Sequence, residues 1–372
     1  MKSFREELAD IKRLCESESY KNEIDDTWER LSENPIVLYG AGAVGVDVAN
    51  TFSHYGIKIL CFCDKYKTGI QKDTGLPIIS PQMLLAEYEN ALVVISSISF
   101  ADEIKNELQE LGVPGTRVFS EFFLNLHTLS IGAVESVMGG YERAYRLFYD
   151  EKSKKNIIGR LQCYLTKKPL IPMQMAPLET SPFNSQYFES DIVTLLNDEV
   201  FVDGGMYTGD TADIFFGLAK GEYKHYYGFE PDKKNCAEAI KRLSKKTNVT
   251  VVAKGLWIRE CKLRFSGDLT ASSRLVENDG SSLVEVTALD MFFRDRPPPT
   301  FIKMDIEGAE LEALKGSDGL IRKYKPKLAI CAYHKPEDIY ALPELIVSYR
   351  SDYKFYLRHY TNSLNETVLY AV

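Results

Sequence analysis

The sequence predicts an α/β protein with two successive domains, each built on a mostly parallel sheet. Three observations predict it. Unbroken apolar runs of strand length alternate with helical patterns in both halves of the chain. A glycine-bearing turn directly follows the first strand of each series, and an acid ends the second strand of each. With 372 residues, 45% of them apolar, the chain has material for two cores rather than one.

The elements follow in order. Residues 1–33 are charged, with Leu8, Ile11 and Leu14 at helical spacing, and read as an N-terminal helix. Residues 34–121 read as a small Rossmann-like nucleotide-binding domain. Its strands are Ile36–Tyr39, Lys58–Cys63 and Leu92–Ser97, with helices through Thr51 and over 101–111. Residues 122–198 read as a helical and extended connector and cover. Phe122–Leu129 and Tyr141–Tyr149 are aromatic-rich and helical in pattern, and Lys168–Pro182 carries four prolines in extended chain. This stretch holds too many aromatic and aliphatic residues to stay solvated. Residues 199–372 read as the second α/β domain. Its strands are Glu199–Val202, Tyr226–Phe229, Val249–Val252, Phe301–Met304 and Leu328–Cys331, and Tyr353–Leu357 with Thr367–Tyr370 form a closing antiparallel pair.

Bulk properties exclude several function classes. A net charge of −8 argues against a nucleic-acid partner, which needs a basic surface to neutralise phosphates. No stretch approaches the roughly 18 apolar residues of a membrane span, and the charged start is unlike a signal peptide. Seven cysteines, an odd number, are scattered, and Cys61-x-Cys63 on an apolar strand is a poor zinc half-site. Buried thiols in a reducing cytoplasm are the expected state. A homo-oligomer is left open.

The second domain carries the sharper constellation. Its first strand ends in Asp203-Gly204-Gly205-Met206-Tyr207-Thr208-Gly209-Asp210-Thr211, ahead of a helix. Such a turn lets a ligand approach the backbone, and the helix start offers free N–H groups. The acid in place of a phosphate-binding glycine suits an ammonium rather than a pyrophosphate. Asp210 or Thr211 is equally suited to capping the helix. Glu230 ends the next strand, 27 residues after Asp203, where a carboxylate can hold ribose hydroxyls, while Asp232 fits a helix cap. Gly255 lies in the turn after the third strand. The fourth strand runs into Asp305, Glu307 and Glu310. Acids at the carboxyl end of a central strand are costly unless they bind something, although Glu310 alone reads as a solvated helix residue. Asp305, Glu307 and His334 can converge there as base, or as ligands of a divalent cation.

These residues carry a resemblance. The runs Val202–Gly205 with Gly209–Thr211, Phe229–Asp232, Leu289-Asp290 and Ile302–Glu310 resemble the FkbM family of methyltransferases. The string I-K-M-D-I-E-G-A-E is the most specific element. Tyr333–Asp338, Arg358–Tyr360 and Glu366–Tyr370 extend the likeness over roughly residues 185–372. The resemblance implies a class I methyltransferase fold, S-adenosylmethionine as donor, and O-methylation of a sugar or natural-product hydroxyl. It implies Asp203, Gly205 and Gly209 at the cofactor turn, Glu230 at the ribose and Asp305 at the catalytic edge. The expected cofactor contacts are Asp203, Gly204, Gly205, Tyr207, Thr208, Gly209, Asp210, Thr211, Glu230, Asp232 and Gly255. The expected catalytic residues are Asp305, His334 and Glu307. No acid after the third strand offers itself to the adenine amino group.

In the first domain, Gly40-Ala41-Gly42-Ala43-Val44-Gly45 is a complete G-x-G-x-x-G between strand and helix. Asp64 ends the next strand 19 residues after Gly45. Gly40, Gly42, Gly45 and Asp64 therefore mark a second nucleotide site. The run Phe62–Asp64 followed by Gly75–Ile78 resembles the nucleotide-sugar-binding domain of PglD-type sugar acyltransferases, which implies a nucleotide sugar as partner. The expectation is an O-methyltransferase acting on a sugar or nucleotide-linked saccharide. The alternative is a sensor of nucleotide sugar or NAD with an inert second half.

Overall fold

The structure, a computed structural model, describes residues 2–96, 100–119, 131–165, 185–266, 274–276, 282–360 and 365–372. It divides into two compact units, residues 1–135 with 158–178, and residues 136–157 with 179–372. The helix read at Phe122–Leu129 and the extended stretch Lys168–Pro182 lie outside the described residues.

In the first unit, α1 (Phe4–Glu16) and α2 (Glu18–Glu33) are separated at Ser17, whose side chain accepts the Tyr20 N–H and caps α2. The strand β1 (Ile36–Tyr39) leads into α3 (Ala43–His54), then β2 (Ile59–Cys63), β3 (Gly69–Ile70), β4 (Pro77–Ile79), α4 (Pro81–Glu87), β5 (Leu92–Ile95), α5 (Ala101–Glu110) and β6 (Val118–Phe119). The sheet order is β3-β4-β2-β1-β5-β6, parallel except for the β3 edge. β1 is buried on both faces. Ile36 and Leu38 pack into one cluster with Phe52 and Val48, and Val37 and Tyr39 into the other with Leu84 and Leu108. Cys61 and Cys63 sit buried in this second cluster as ordinary strand residues.

Two helices follow, α6 (Ile131–Leu147) and α7 (Glu151–Leu165). The second unit then runs β7 (Val200–Gly204), α8 (Asp210–Ala219), β8 (His225–Phe229), α9 (Lys233–Leu243), β9 (Val249–Val252), β10 (Gly255–Leu256), β11 (Cys261–Ser266), β12 (Arg274–Val276) and β13 (Ser282–Thr287). It closes with α10 (Leu289–Phe292), β14 (Phe301–Met304), α11 (Glu310–Lys315), α12 (Asp318–Tyr324), β15 (Lys327–Cys331), α13 (Asp338–Tyr349), β16 (Phe355–His359) and β17 (Thr367–Ala371). The seven-stranded sheet has the order β16-β17-β15-β14-β7-β8-β9. Its core is parallel, and β17 runs antiparallel between β15 and β16, which realises the closing pair. An aromatic cluster of Phe201, Phe215, Phe301, Phe188 and Tyr226 fills one face.

A second sheet, β10-β13-β11-β12, departs from the sequence reading, which places no strands between Trp257 and Phe301. Its strands interleave charge with small apolar patches, as in Cys261-Lys262-Leu263-Arg264, and among the described residues Leu263, Val284 and Val286 make a small buried cluster. That little apolar content gives no strand-like run. Among the described residues no helix is long and apolar enough to cross a membrane.

Candidate active site in the second unit

The site lies where the sheet reverses direction. From β7 the chain proceeds outward through β8 and β9, and on the other side through β14 and β15, so the carboxyl ends of β7 and β14 flank a topological switch point. Gly204 and Gly205 leave β7 there, beside Asp305 at the end of β14. Gly205 has φ +72°, and a Cβ on it would stand 1.8 Å from the Asp305 carbonyl oxygen, so only glycine fits this crossing. The turn is tied to β8 by Gly205 N–H and Met206 N–H, which donate to the Phe229 carbonyl at 2.9 and 3.1 Å.

The helix α8 starts from Gly209 as N-cap, and no side chain caps it. The capping role read for Asp210 or Thr211 is thereby corrected. Both fall inside the first turn, where Asp210 complements the helix dipole but cannot reach its own leading N–H groups. Thr211 is buried, Thr208 is partly buried, and Tyr207 is exposed with φ +49°. Glu230 stands at the end of β8, with burial raising its carboxyl above the ordinary range. It accepts the Tyr207 N–H at 3.2 Å and the Asp232 N–H at 2.9 Å, tying the turns after β7 and β8 together. Asp232 caps α9 through the Asn235 N–H at 2.8 Å, the structural role its position suggests. Gly255 packs beside Pro231 and Val286 at the start of β10.

Asp203 differs from the expectation. It is fully buried, and its partner is inside the protein. Lys303 is its register partner on β14, with Nζ 2.9 Å from Asp203 Oδ1, and the Tyr226 hydroxyl donates to Oδ2 at 2.8 Å. The Lys303 ammonium also donates to the carbonyls of Gly204 and Gly205 at 3.2 and 2.8 Å. Burial works against this ammonium, yet Asp203 and Asp305 hold its pKa above the ordinary lysine value. A buried lysine on an apolar strand requires such a counter-charge. The Asp203 carboxylate is therefore spent on fixing the turn, not on receiving an ammonium from outside.

The acid edge converges as expected on Asp305, Glu307 and His334, and adds Glu310. His334 Nε2 lies 3.5 Å from Asp305 Oδ1 and 3.6 Å from Glu307 Oε2, while Nδ1 lies 3.0 Å from Glu310 Oε1. The reading of Glu310 as a solvated helix residue is corrected. Its side chain is fully buried and accepts the Ile306 N–H at 2.9 Å. The reason is local. Glu307 and Gly308 take φ +56° and +88°, and this turn carries the first residue of α11 inward. Burial opposes a charged His334, but Glu310, Asp305 and Glu307 raise it to about 10. Burial lifts Glu307 to about 7. For Asp305, burial is outweighed by Lys303 and His334, which hold it below the usual range.

Residues that sequence reasoning missed complete this edge. The Tyr187 hydroxyl donates to Asp305 Oδ2 at 2.9 Å, and the Tyr333 hydroxyl to Oδ1 at 3.2 Å. The Tyr187 ring covers Lys303 at 5.0 Å. Glu366 bonds to Gln186, and burial with the nearby Asp305 raises its carboxyl. Four of the seven described non-glycine residues with positive φ belong to this site: Tyr187, Tyr207, Glu307 and Glu366. Backbone strain gathers where function over-determines geometry. A lysine inside the apolar run Phe301–Met304 is the one sequence signal that asks for a buried partner. Tyr187 and Glu366 are far off in sequence and give none.

In the first unit the glycine turn forms as read. A Cβ on Gly45 would meet the Gly40 carbonyl oxygen at 2.0 Å, so the close strand-to-helix packing requires glycine there. Gly42 is the N-cap of α3. Asp64 Oδ2 accepts the Ala41 N–H at 3.0 Å, and Oδ1 accepts Tyr66 and Lys67 N–H at 2.9 and 3.0 Å. Asp64 thus braces its own turn.

Comparison with known proteins adds the following. The methyltransferase FkbM domain family matches residues 203–355, and a family described as C2185-like, N-terminal, matches residues 32–119. The crystal structure of methyltransferase FkbM from Methylobacillus flagellatus KT is similar over 99% of this chain and 98% of its own, with a TM-score of 0.69 and 23% identity. An rRNA methylase from Streptococcus thermophilus (TM-score 0.31, 17% identity) covers 48% of this chain and 87% of its own. Fibrillarin from Aeropyrum pernix with natively bound S-adenosyl-L-methionine (TM-score 0.30, 9% identity) covers 49% and 70%. No curated protein sequence matches the chain. The match over 203–355 begins at the end of β7 and takes in the switch point and the acid edge from Asp305 to His334, and the full-length likeness shows the same α/β fold, so residues 203–355 of this chain match a methyltransferase FkbM domain.

Proposed function

We propose that the second unit is an S-adenosylmethionine-dependent O-methyltransferase acting on a hydroxyl of a sugar or nucleotide-linked saccharide. The observation that carries this reading is the meeting of the glycine turn and the acid edge across one switch point. When bound, S-adenosylmethionine supplies a methyl group on a sulfonium that an oxygen attacks in line. The chain's residues fit such a ligand. The uncapped start of α8 leaves N–H groups for a carboxylate, and Glu230 is placed at the end of β8 for the ribose. Gly204, Gly205, Tyr207, Thr208 and Gly209 shape the turn, and Asp203 serves it through Lys303.

The acceptor hydroxyl belongs at the other side, against Asp305, Glu307 and His334. Attack requires the hydroxyl oxygen in line and a group to take its proton. Glu307 is the most open of the three, with 36% of its side chain exposed against 23% for Asp305 and 9% for His334. Glu307 takes the proton, while Tyr187 and Tyr333 hold Asp305 in place. Aromatic rings beside carboxylates suit a sugar ring. The experiment is turnover of S-adenosylmethionine to S-adenosylhomocysteine with a panel of glycans and sugar nucleotides. Turnover with none, together with no cofactor binding, sinks the reading and favours a sensor with an inert second unit.

For the first unit we infer a nucleotide or nucleotide-sugar ligand at Gly40, Gly42 and Gly45. What supports it is a complete turn opening α3, with no side-chain cap and with Lys67 Nζ at the Ala41 carbonyl, 3.2 Å away. Calorimetry with sugar nucleotides and NAD tests it; silence for every nucleotide leaves the turn a scaffold.

A further inference from the structure

We propose that Asp305, Glu310 and His334 form a binding site for one first-row divalent cation. The three side chains each bring one ligand atom, and these atoms lie within 4.8 Å of one another. Ligands bound at about 2.1–2.3 Å stand about 3.0–3.8 Å apart when cis or tetrahedral on one cation, so the three side chains draw in by up to about 1–2 Å to close on it.

A second observation is independent of the acid count. Glu310 is fully buried and its Oε2 has no hydrogen-bond partner. His334 is more than nine-tenths buried, and its Nδ1 is paired with Glu310 Oε1 at 3.0 Å. Buried polar atoms without partners are rare and expensive. Glu310 Oε2, on a buried side chain grouped with Asp305 and His334, marks a place suited to a positive centre. The charges agree. Glu310, buried, and Asp305, largely buried, lie beside one imidazole with the more open Glu307 nearby, and Lys303, shared with Asp203, offsets only part of this negative charge; a dication would complete the offset. One imidazole with two carboxylates suits manganese, iron or zinc better than magnesium or calcium, which prefer oxygen alone.

The ligand set differs from the one legible in sequence. Glu310 joins Asp305 and His334 in the set, and Glu307, 3.6 Å from His334 Nε2, is assigned the proton instead of the cation. A cation held there would make a hydroxyl bound to it more acidic. This role deepens the methyl-transfer reading and rests on it; the binding itself does not.

The test uses the full chain, stripped with a chelator, and Mn²⁺ alone as probe. Electron paramagnetic resonance reads free Mn²⁺ during titration. We expect one bound Mn²⁺ per chain, weakened at least about 10-fold in Glu310→Gln and in Asp305→Asn. Zn²⁺ should compete for the same site. No stoichiometric binding of Mn²⁺ or Zn²⁺, or binding that neither variant weakens, overturns the proposal. If Glu310→Gln melts early by circular dichroism, Asp305→Asn carries the decision. Cofactor binding is measured separately by calorimetry, so loss of the methyl-transfer reading and loss of the cation site give different patterns.

Discussion

The two glycine turns of this chain look alike and are surrounded by different chemistry. Gly40–Gly45 and Gly204–Gly209 each link a buried strand to a helix, and each is braced by an acid from the next strand. Asp64 holds the first through Ala41 N–H, and Glu230 holds the second through Tyr207 N–H. The contrast is on the neighbouring strand at the other side. Beside the first turn, β5 ends in Ser96, whose hydroxyl donates to the Tyr39 and Gly40 carbonyls. Beside the second, β14 ends in Asp305 and the His334 cluster. A glycine turn with a spaced acid thus defines a nucleotide-shaped backbone. The strand across the switch point decides whether anything reacts there.

Substitutions can break or sharpen this contrast. The largest effect is expected from Glu307→Gln, which removes the proton acceptor and lowers turnover with an accepted glycan about 10²–10⁴-fold. Its dissociation constant for S-adenosylmethionine should stay within about 2-fold of the parent, about 0.4 kcal/mol. His334→Ala should likewise depress kcat more than cofactor affinity; equal loss of both would place His334 in the cofactor pocket.

Next comes Lys303→Met, which strands Asp203 as a buried unpaired charge and should cost about 3–5 kcal/mol in denaturant unfolding. Adding Asp203→Asn should recover part of that loss. Additive losses would show that the pair is not coupled. A smaller effect is expected from Glu230→Ala, which removes a charged acceptor and should weaken S-adenosylmethionine about 10-fold or more. The smallest is Asp64→Ala, which loosens the first turn by about 1–3 kcal/mol and leaves S-adenosylmethionine affinity unchanged.

Much of the fold was legible because parallel strands buried on both faces write themselves as continuous apolar runs. Ile36–Tyr39 and Phe301–Met304 form strands with those bounds, and so does the partly buried edge strand Val249–Val252. The small sheet of β10 to β13 was not, because its strands are short or interleave charged with apolar residues. At the site, the turn and the acids were visible as motifs, while their pairing was not. Asp203 and Lys303 are 100 residues apart and meet only through strand register. Glu310 reads as solvated because helical spacing cannot foresee the left-handed turn at Glu307 and Gly308. Tyr187 reaches Asp305 from 118 residues away. Motifs report what a strand end carries; which of those groups is already neutralised depends on contacts distant in sequence.

The central claim is that the second turn, and not the first, holds the methyl donor. Calorimetric titration of the full chain with S-adenosylmethionine, alongside Glu230→Ala and Asp64→Ala, tests it most directly. One site per chain, weakened by Glu230→Ala and untouched by Asp64→Ala, is the predicted result. No binding to the parent chain, or binding lost through Asp64→Ala instead, would contradict it.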